Sequence, residues 1–286
     1  MSVSPHILVV LGPTASGKSD FAIDLALKHN GEVISADSRQ VYKGLDIGTG
    51  KVTKEEMKDV PHHMLSVYNL DEEIGVARYA RDTIPIIDDI LRRGKTPIIC
   101  GGTGQYIDAL IYNTLLPQVP PNKKLREELE KLPSEELFKK LEEKDAIRAT
   151  SIDKHNRVRV IRALEILDTL SVVPPKTSSK LKYDTELYLM SASRPLLRTR
   201  IIRRLEKRLT SGMIDEVKNI MTQGYTSDSM RKFGLEYVGI GKFLEGTFAE
   251  EEMKQDIITK SCQYAKRQRT WNKKYLSFAK IVEVKE

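Results

Sequence analysis

The sequence predicts an α/β fold in which a parallel sheet is flanked by helices on both faces and interrupted by an all-helical insertion. Three observations lead there. Branched apolar runs alternate with amphipathic stretches from His6 to Tyr112, the pattern of strands crossing over through helices. The glycine-rich octet GPTASGKS, Gly12–Ser19, stands between the first run and the first amphipathic stretch. From Pro117 the alternation gives way to a charged, helical pattern broken by prolines.

HILVVLG (6–12) is a strand closed by a glycine turn, and SDFAIDLALKH (19–29) repeats its apolar residues three and four apart, as a helix does. EVISA (32–36) follows as a strand, RYARDTIPIIDDILRRG (78–94) as a helix, TPIICGG (96–102) as a strand and GQYIDALIY (104–112) as a helix. Ligands of such sheets bind beyond the carboxyl ends of the strands. Gly12, Asp37 and Thr103 each follow a strand, so they are expected to converge on one cleft. The core is therefore assigned to residues 1–116 and 184–286, with a helical insertion over 117–183 that the prolines of SVVPPKTSSK (171–180) bring to an end. TELYLMSAS (185–193) returns as a strand. RPLLRTRIIRRLEKRLTSG (194–212) and MIDEVKNIMTQG (213–224) are helices stopped by glycine, DIITKSCQYAKRQRTWNKKYL (256–276) is a long helix and KIVEV (280–284) is the last strand.

Composition narrows the class. Of 286 residues, 40% are hydrophobic and 30% charged, which excludes a disordered or fibrous chain, and no apolar run reaches the length of a membrane span. The amino terminus has neither a cationic leader region nor a small-residue cleavage site, so a cytoplasmic protein is expected. Cys100 and Cys262 lie far apart and match no CxxC or zinc spacing, which favours reduced, core-filling thiols. His62 and His63 have no partner at metal-ligand spacing, and Asp88 and Asp89 read as exposed charges on a helix. The net charge of +7 is concentrated in residues 154–162, 194–208 and 260–274, the last carrying Tyr264 and Trp271. Such clusters are the electrostatic footprint of a nucleic-acid partner.

GPTASGKS fits G-x-x-x-x-G-K-[ST] in its proper strand-to-helix context, so a P-loop NTPase-like parallel sheet is expected. The turn's backbone N–H groups and the helix N-terminus suit a diphosphate or triphosphate. Lys18 would neutralise terminal oxygens and the Ser19 hydroxyl would bind Mg2+. Asp37, after the second strand, can either position that metal or act as a general base. Thr103, in GGTGQY, either caps a helix or faces a ligand, which two preceding glycines would let approach.

GPTASGKS, SADSRQVYKGLDIGTGK, VPHH, GGTGQYI, RVRVIRALEI, RTRIIRRLEKRLTSGMIDEV and QYAKRQRTW, in this order along nearly the whole chain, resemble the tRNA dimethylallyltransferases, the IPP transferase family. The resemblance implies transfer of a dimethylallyl group from dimethylallyl diphosphate to N6 of the adenosine 3′ of the anticodon. It makes Asp37 the candidate base and Thr103 its catalytic neighbour. Gly12, Pro13, Thr14, Ala15, Ser16, Gly17, Lys18, Ser19 and Arg200 would hold the diphosphate, with Ser19 on Mg2+. Asp37, Ser38, Arg39 and Gln40 would meet the target nucleoside. Val158, Arg159, Val160, Ile161 and Arg162 in the insertion, and Lys266, Arg267, Gln268, Arg269, Trp271 and Lys273 near the carboxyl end, would contact tRNA. The insertion becomes a tRNA-binding domain gripping the anticodon stem-loop, in a protein working as a monomer. Gly50 and Val52 stand where the family motif DIGTAKP has alanine and proline. A transferase acting on free adenine nucleotides shares the cradle but has less need of three basic clusters; in a P-loop small-molecule kinase the insertion would stand for an arginine-bearing lid and Asp37 would serve an alcohol acceptor; a noncatalytic RNA-binding protein would not need Asp37.

Overall fold

The computed structural model describes residues 6–112, 116–117, 119–170 and 180–285. The chain folds as two compact units, the described residues of Met1–Tyr112 with Leu181–Glu286 and those of Asn113–Lys180. The proline-rich exit read from SVVPPKTSSK falls, but for Lys180, outside the described residues.

The larger unit is built on β1 (His6–Leu11), α1 (Lys18–Lys28), β2 (Gly31–Ser35), β3 (His62–His63), α2 (Val76–Arg92), β4 (Thr96–Gly101) and α3 (Gly104–Ile111). After the smaller unit come β5 (Asp184–Ser191), α8 (Arg194–Thr210), α9 (Met213–Met221), α10 (Leu235–Leu244), α11 (Glu250–Asn272) and β6 (Lys280–Glu283). The six strands are all parallel, in the order β3-β2-β4-β1-β5-β6. Central strands of such sheets are covered on both faces and need apolar side chains on both, and Ile7 to Leu11 are accordingly all buried. On one face Ala22, Ile23 and Ala26 of α1 pack on Leu8, Val10, Val33 and Ile98. The Tyr79 ring of α2 stacks on Tyr106 of α3 at 3.8 Å, and its hydroxyl donates to the Ser35 carbonyl at 2.7 Å. That bond anchors the carboxyl end of β2, immediately before Asp37.

Two elements went beyond the sequence reading. HH of VPHH forms a two-residue strand on the outer side of β2, and LEYVGIGKFL forms α10, in which Gly239 and Gly241 pack against Ile257 and Met230. The first pairs with Val33 and Ile34, and its second histidine reaches a buried acid. Glu32 of β2 is 2% exposed and accepts from Arg93 at 2.5 and 2.7 Å, Lys95 at 2.8 Å and His63 at 2.8 Å. His63 is thus part of this network, whereas His62 Nδ1 lies 2.8 Å from the Val60 carbonyl, and Asp89 pairs with Arg92 of α2 and with Arg93 just after it.

The smaller unit contains α4 (Lys123–Glu130), α5 (Ser134–Lys144), α6 (Ala146–Ser151) and α7 (Arg157–Leu170) around Leu129, Leu137, Leu141, Val160, Leu164 and Leu167. Its buried Glu165 accepts from Arg126, Arg162 and the Asn122 N–H. Glu165, Arg126 and Arg162 are thus satisfied within this unit, while most of its other charged side chains are exposed.

The Arg93 hydrogen bonds, helped by Lys95 and His63, hold the Glu32 carboxyl well below the ordinary carboxylate range despite burial. A folded-state value below the unfolded one stabilises above about pH 4.5 and is lost as the pH falls beneath it. Glu32→Gln should cost about 2 kcal/mol in urea unfolding at pH 7, less than a sealed ion pair because the cations can turn to water. The gap from the unaltered protein should narrow between about pH 5 and pH 3.

Candidate functional site

The loops after β1, β2 and β4 meet at one end of the sheet. The cradle's geometry follows from its glycines. An added Cβ at Gly12 would come 2.7 Å from Met190 Cβ, so only glycine lets the turn leave β1 against β5. Gly17, in the left-handed region at φ 78°, starts α1. Lys18 folds back to donate to the Pro13 carbonyl at 2.7 Å. Gly12 and Pro13 thus shape the turn from behind, whereas Thr14, Ala15, Ser16, Gly17, Lys18 and Ser19 line a cavity of about 390 Å³. Ser16 is fully buried and its Oγ finds no partner among the described residues, an unsatisfied donor that a ligand oxygen would answer.

Asp37 stands where this cavity meets a second one of about 520 Å³. Thr14, Thr49, Arg204 and Arg208 also line both. The carboxylate is fixed by its own turn, Oδ1 accepting the Arg39 N–H at 2.8 Å. No partner of Oδ2 is found among the described residues. Thr103 begins α3 without capping it; its hydroxyl accepts the Ser38 N–H at 3.1 Å instead and so ties the β4 loop to the Asp37 loop. It lines neither cavity directly, but influences the phenol of Tyr264, which does line the second.

The glycines of GGTG are closely packed, and Gly101 also lines the phosphate-side cavity. A Cβ at Gly101 would meet the Ala36 carbonyl at 2.1 Å, at Gly102 the Gln268 amide at 2.2 Å and at Gly104 the Trp271 indole at 2.1 Å. Gln268, expected on the RNA surface, is 6% exposed. Its Oε1 accepts the Thr14 N–H at 2.7 Å and its Nε2 donates to the Gly102 carbonyl at 3.0 Å. It faces inward because these two backbone groups would otherwise be buried unpaired. Gln40 is likewise engaged internally, with Ser35 Oγ at 3.0 Å and the Gly50 carbonyl at 3.1 Å.

In the basic stretch 194–208, Arg194, Arg198, Arg203 and Lys207 are exposed, whereas three arginines turn to the cavities. Arg200, Arg204 and Arg208 recur every fourth residue, hence on one stripe of α8. Arg200 lines the phosphate-side cavity, and Arg204 and Arg208 line both. Sequence reasoning singled out Arg200 alone; the four-residue spacing was the available signal for the other two. Burial, with Arg208 beside it, lowers the Arg204 pKa to about 10 against the pull of Glu236 and Asp37. Burial likewise lowers the Lys18 ammonium to about 8, opposed by Cys100 and Asp37 and assisted by Arg204. Burial thus dominates at both cations, with Asp37 partly offsetting it at each. The second cavity adds Arg39, Arg231, Lys242, Lys260 and Arg267, with Arg267 lying 5.5 Å over the Tyr264 ring.

On α11 and beyond it, Lys266, Arg267, Arg269 and Lys273 are exposed and Trp271 half-buried; of these, Lys266, Arg267 and Trp271 line an open surface recess with Gln263 and Thr270. In the smaller unit, Val160 and Ile161 are 1% and 7% exposed, within the helical core. They cannot touch RNA as expected, since their side chains sit on the inner stripe of α7. Arg162 donates to the Val119 carbonyl and Glu165, whereas Val158, 78% exposed, and Arg159 lie on the outer stripe.

Among the described residues, no three His, Cys, Asp or Glu side chains gather to hold a metal, and no helix is long and apolar enough to cross a membrane. A cation at this site would instead draw on the Ser19 hydroxyl, a carboxylate oxygen and phosphate oxygens of a ligand. That donor set suits Mg2+, which keeps few protein ligands where it accompanies a phosphate, and Ser19 and Asp37 do line one cavity. Cys100, also there, is a buried thiol with its pKa raised to about 12 by burial, and neither cysteine forms a disulfide.

The glycine cradle at the head of a parallel sheet, its orphaned serine and the arginine stripe above it define a P-loop protein built to hold phosphoryl groups beside a carboxylate. Comparison with known proteins narrows the class. The chain belongs to the IPP transferase family, whose model matches residues 40–275. It is 41% identical over 288 residues to the tRNA dimethylallyltransferase of Staphylococcus aureus (strain JH9), covering 96% of this chain and 91% of that one. The tRNA dimethylallyltransferase of Thermoanaerobacter sp. (strain X514) is 38% identical over 281 residues, covering 94% and 89%. Among solved structures, the full-length tRNA isopentenylpyrophosphate transferase of Bacillus halodurans superposes with a TM-score of 0.73 at 34% identity, covering 98% of this chain and 90% of that one. A eukaryotic dimethylallyltransferase acting on tRNA reaches 0.85 at 28% identity, covering 99% and 75%.

If Gln268 braces the cradle, Gln268→Ala should weaken binding of pyrophosphate in the presence of Mg2+ about tenfold by calorimetry, the cost of two unpaired backbone groups shared with partial rehydration. A substitution confined to an RNA-facing surface would leave that affinity unchanged.

Proposed function

We propose that this protein transfers the dimethylallyl group of dimethylallyl diphosphate to N6 of the adenosine 3′ of the anticodon in tRNA and releases diphosphate. The observation that carries the reading is the position of Asp37 on the wall shared by two basic cavities, one formed by the phosphate cradle and the other wide enough for a nucleoside. Membership of the family supports it.

Thr14 to Ser19 and Arg200 hold the diphosphate, and Ser16 gains the partner it otherwise lacks. The adenine, drawn from its stack, enters from the side of Arg39, Tyr264 and Arg267. An exocyclic amine is a poor nucleophile because its lone pair is shared with the ring. As the N6–C1 bond forms and the C1–O bond breaks, its proton passes to Asp37 and the bonding electrons leave with the diphosphate. The turn at Arg39 keeps the carboxylate aimed. Lys18, Arg200 and Arg204 stabilise charge gathering on the leaving group. Mg2+, bound through Ser19 and phosphate oxygens, would supply further neutralisation of that charge.

The excess of cations in the nucleoside-side cavity, Arg39, Arg231, Lys242, Lys260 and Arg267, exceeds what one free nucleotide's phosphate requires and favours a polyanionic acceptor. Lys266, Arg269, Lys273 and Trp271 offer further tRNA contacts, and Val158 and Arg159 of the smaller unit offer contacts of their own. The reading puts the protein in the cytoplasm with its tRNA, acting as a monomer on one anticodon arm.

Incubation with tRNA, Mg2+ and dimethylallyl diphosphate should yield N6-dimethylallyl adenosine by nucleoside mass spectrometry; its absence with every tRNA carrying an adenosine at that position would refute the reading. Asp37→Asn should lower kcat at least about 100-fold, with tRNA affinity within about threefold of normal.

The Lys18 shift sets a pH dependence. The free ammonium is lost above about pH 8 while a bound diphosphate favours its retention, so KM for dimethylallyl diphosphate should climb toward tenfold per pH unit above that value. Lys18→Ala should raise KM at neutral pH and abolish the climb.

A further inference from the structure

The loop Asp46–Lys51, in LDIGTGK, borders both cavities, Gly48 on the nucleoside side, Thr49 on both and Gly50 on the phosphate side. It has no regular secondary structure of its own beyond turns, so its shape must come from what holds it. Three consecutive N–H groups converge on one carboxylate, that of Glu216 on α9: Asp46 N–H at 2.9 Å and Ile47 N–H at 2.7 Å reach Oε2, and Gly48 N–H at 2.9 Å reaches Oε1. The Tyr237 hydroxyl of α10 donates to the same Oε1 at 2.7 Å. Gly48 lies so close to the Tyr237 ring that a Cβ there would come within 2.6 Å of it.

The loop's carbonyls are held from the opposite side, Gly48 by Arg208 at 2.9 Å and Gly50 by Gln40 at 3.1 Å. Gly50, in the left-handed region at φ 63°, is packed beneath the Arg208 guanidinium, 1.8 Å from where a Cβ would sit. Lys51 closes the turn onto Asp46, the Tyr42 carbonyl and Ser66. Glu216 itself lines neither cavity. A carboxylate engaged by three main-chain donors is a rigid junction, because charge-assisted bonds to fixed backbone groups leave it little freedom.

We propose that Glu216 is a positioning residue for the acceptor: together with Tyr237 it fixes the Asp46–Gly50 wall against which the adenosine is held opposite Asp37. The proposal rests on the transferase reading for its substrate, but its structural half stands apart from it. Glutamine at 216 keeps the size and loses the charge, and its amide nitrogen faces N–H donors it cannot accept.

Glu216→Gln and Tyr237→Phe should be compared with the unaltered protein by amide hydrogen exchange, by calorimetry with pyrophosphate and Mg2+, and by steady-state kinetics on an anticodon stem-loop. Glu216→Gln should speed exchange at Asp46, Ile47 and Gly48 at least about tenfold, raise KM for the RNA about tenfold and lower kcat. Pyrophosphate affinity should stay within about threefold, since the cradle makes no contact with Glu216. Tyr237→Phe, which removes one bond to the carboxylate and none to the loop, should act in the same direction and more weakly. The proposal is overturned if exchange at the three amides is unchanged, if kinetics are unchanged while exchange rises, or if pyrophosphate affinity falls in step with RNA use, which would mean general damage. Should the unaltered protein modify no RNA, the transferase reading fails on that result alone, and the exchange data still decide whether the clamp exists.

Discussion

The amide of Gln268 is the contact on which the site's geometry rests. One side chain, from the carboxyl-terminal helix, accepts from the first residue of the cradle to line the cavity and donates to the loop after β4. The strand ends β1 and β4 are neighbours in the sheet, but neighbouring strands do not by themselves set the distance between the loops that follow them. An amide does so with both its polarities, because an acceptor and a donor on one rigid plane fix two backbone groups at once. Gly102 and Gly104 are then required by Gln268 and Trp271, so a motif that resembles a ligand loop is in part a socket for α11.

Charge gives the second constraint. Lys18, Arg200, Arg204 and Arg208 share a space with the lining acids Asp20, Asp37, Glu56 and Glu236, and burial above all lowers the pKa values of Lys18 and Arg204. Cations buried in this way gain from a bound anion. Their placement also has a direction. The cations that would follow a departing diphosphate stand on α1 and α8, while Asp37 is held by the turn after β2, so under the proposed reaction the developing negative charge and the abstracted proton would be received by different elements. That separation is what a substitution at an allylic carbon by a neutral amine demands, since charge leaves on one side and a proton on another.

How far the sequence carried this picture differs by residue. The strands, the cradle and the position of Asp37 were legible because each depends on local pattern, a branched run, a glycine turn, a polar residue after a strand. Gln268, Val160 and Ile161 were misassigned to the RNA surface because a motif places residues along a helix without saying which stripe faces inward, and in α7 the inward stripe is set by Leu137 and Leu141 of another helix. Arg204 and Arg208 were counted as surface charge for the same reason, although their spacing from Arg200 was visible. The Glu216 junction was beyond reach: it joins residues 168 to 170 positions apart, and nothing in MIDEV distinguishes a buried clamp from an exposed helix acid.

The chain's departure at Gly50 becomes intelligible on these grounds. A left-handed residue under a guanidinium tolerates a methyl group only if the guanidinium moves, and Arg208 has a use for its place, since it holds the Gly48 carbonyl, pairs with Glu236 at 3.6 Å and lines both cavities. With glycine at position 50, Arg208 can lie flat across the loop and serve wall and cavity together. An alanine there would force a choice between the two, because the side chain could keep its reach toward the cavities only by giving up its contact over the loop. The glycine is therefore part of the same clamp as Glu216, acting on the opposite face of the chain, and the wall opposite Asp37 is shaped from both sides by residues that the cradle motif does not contain.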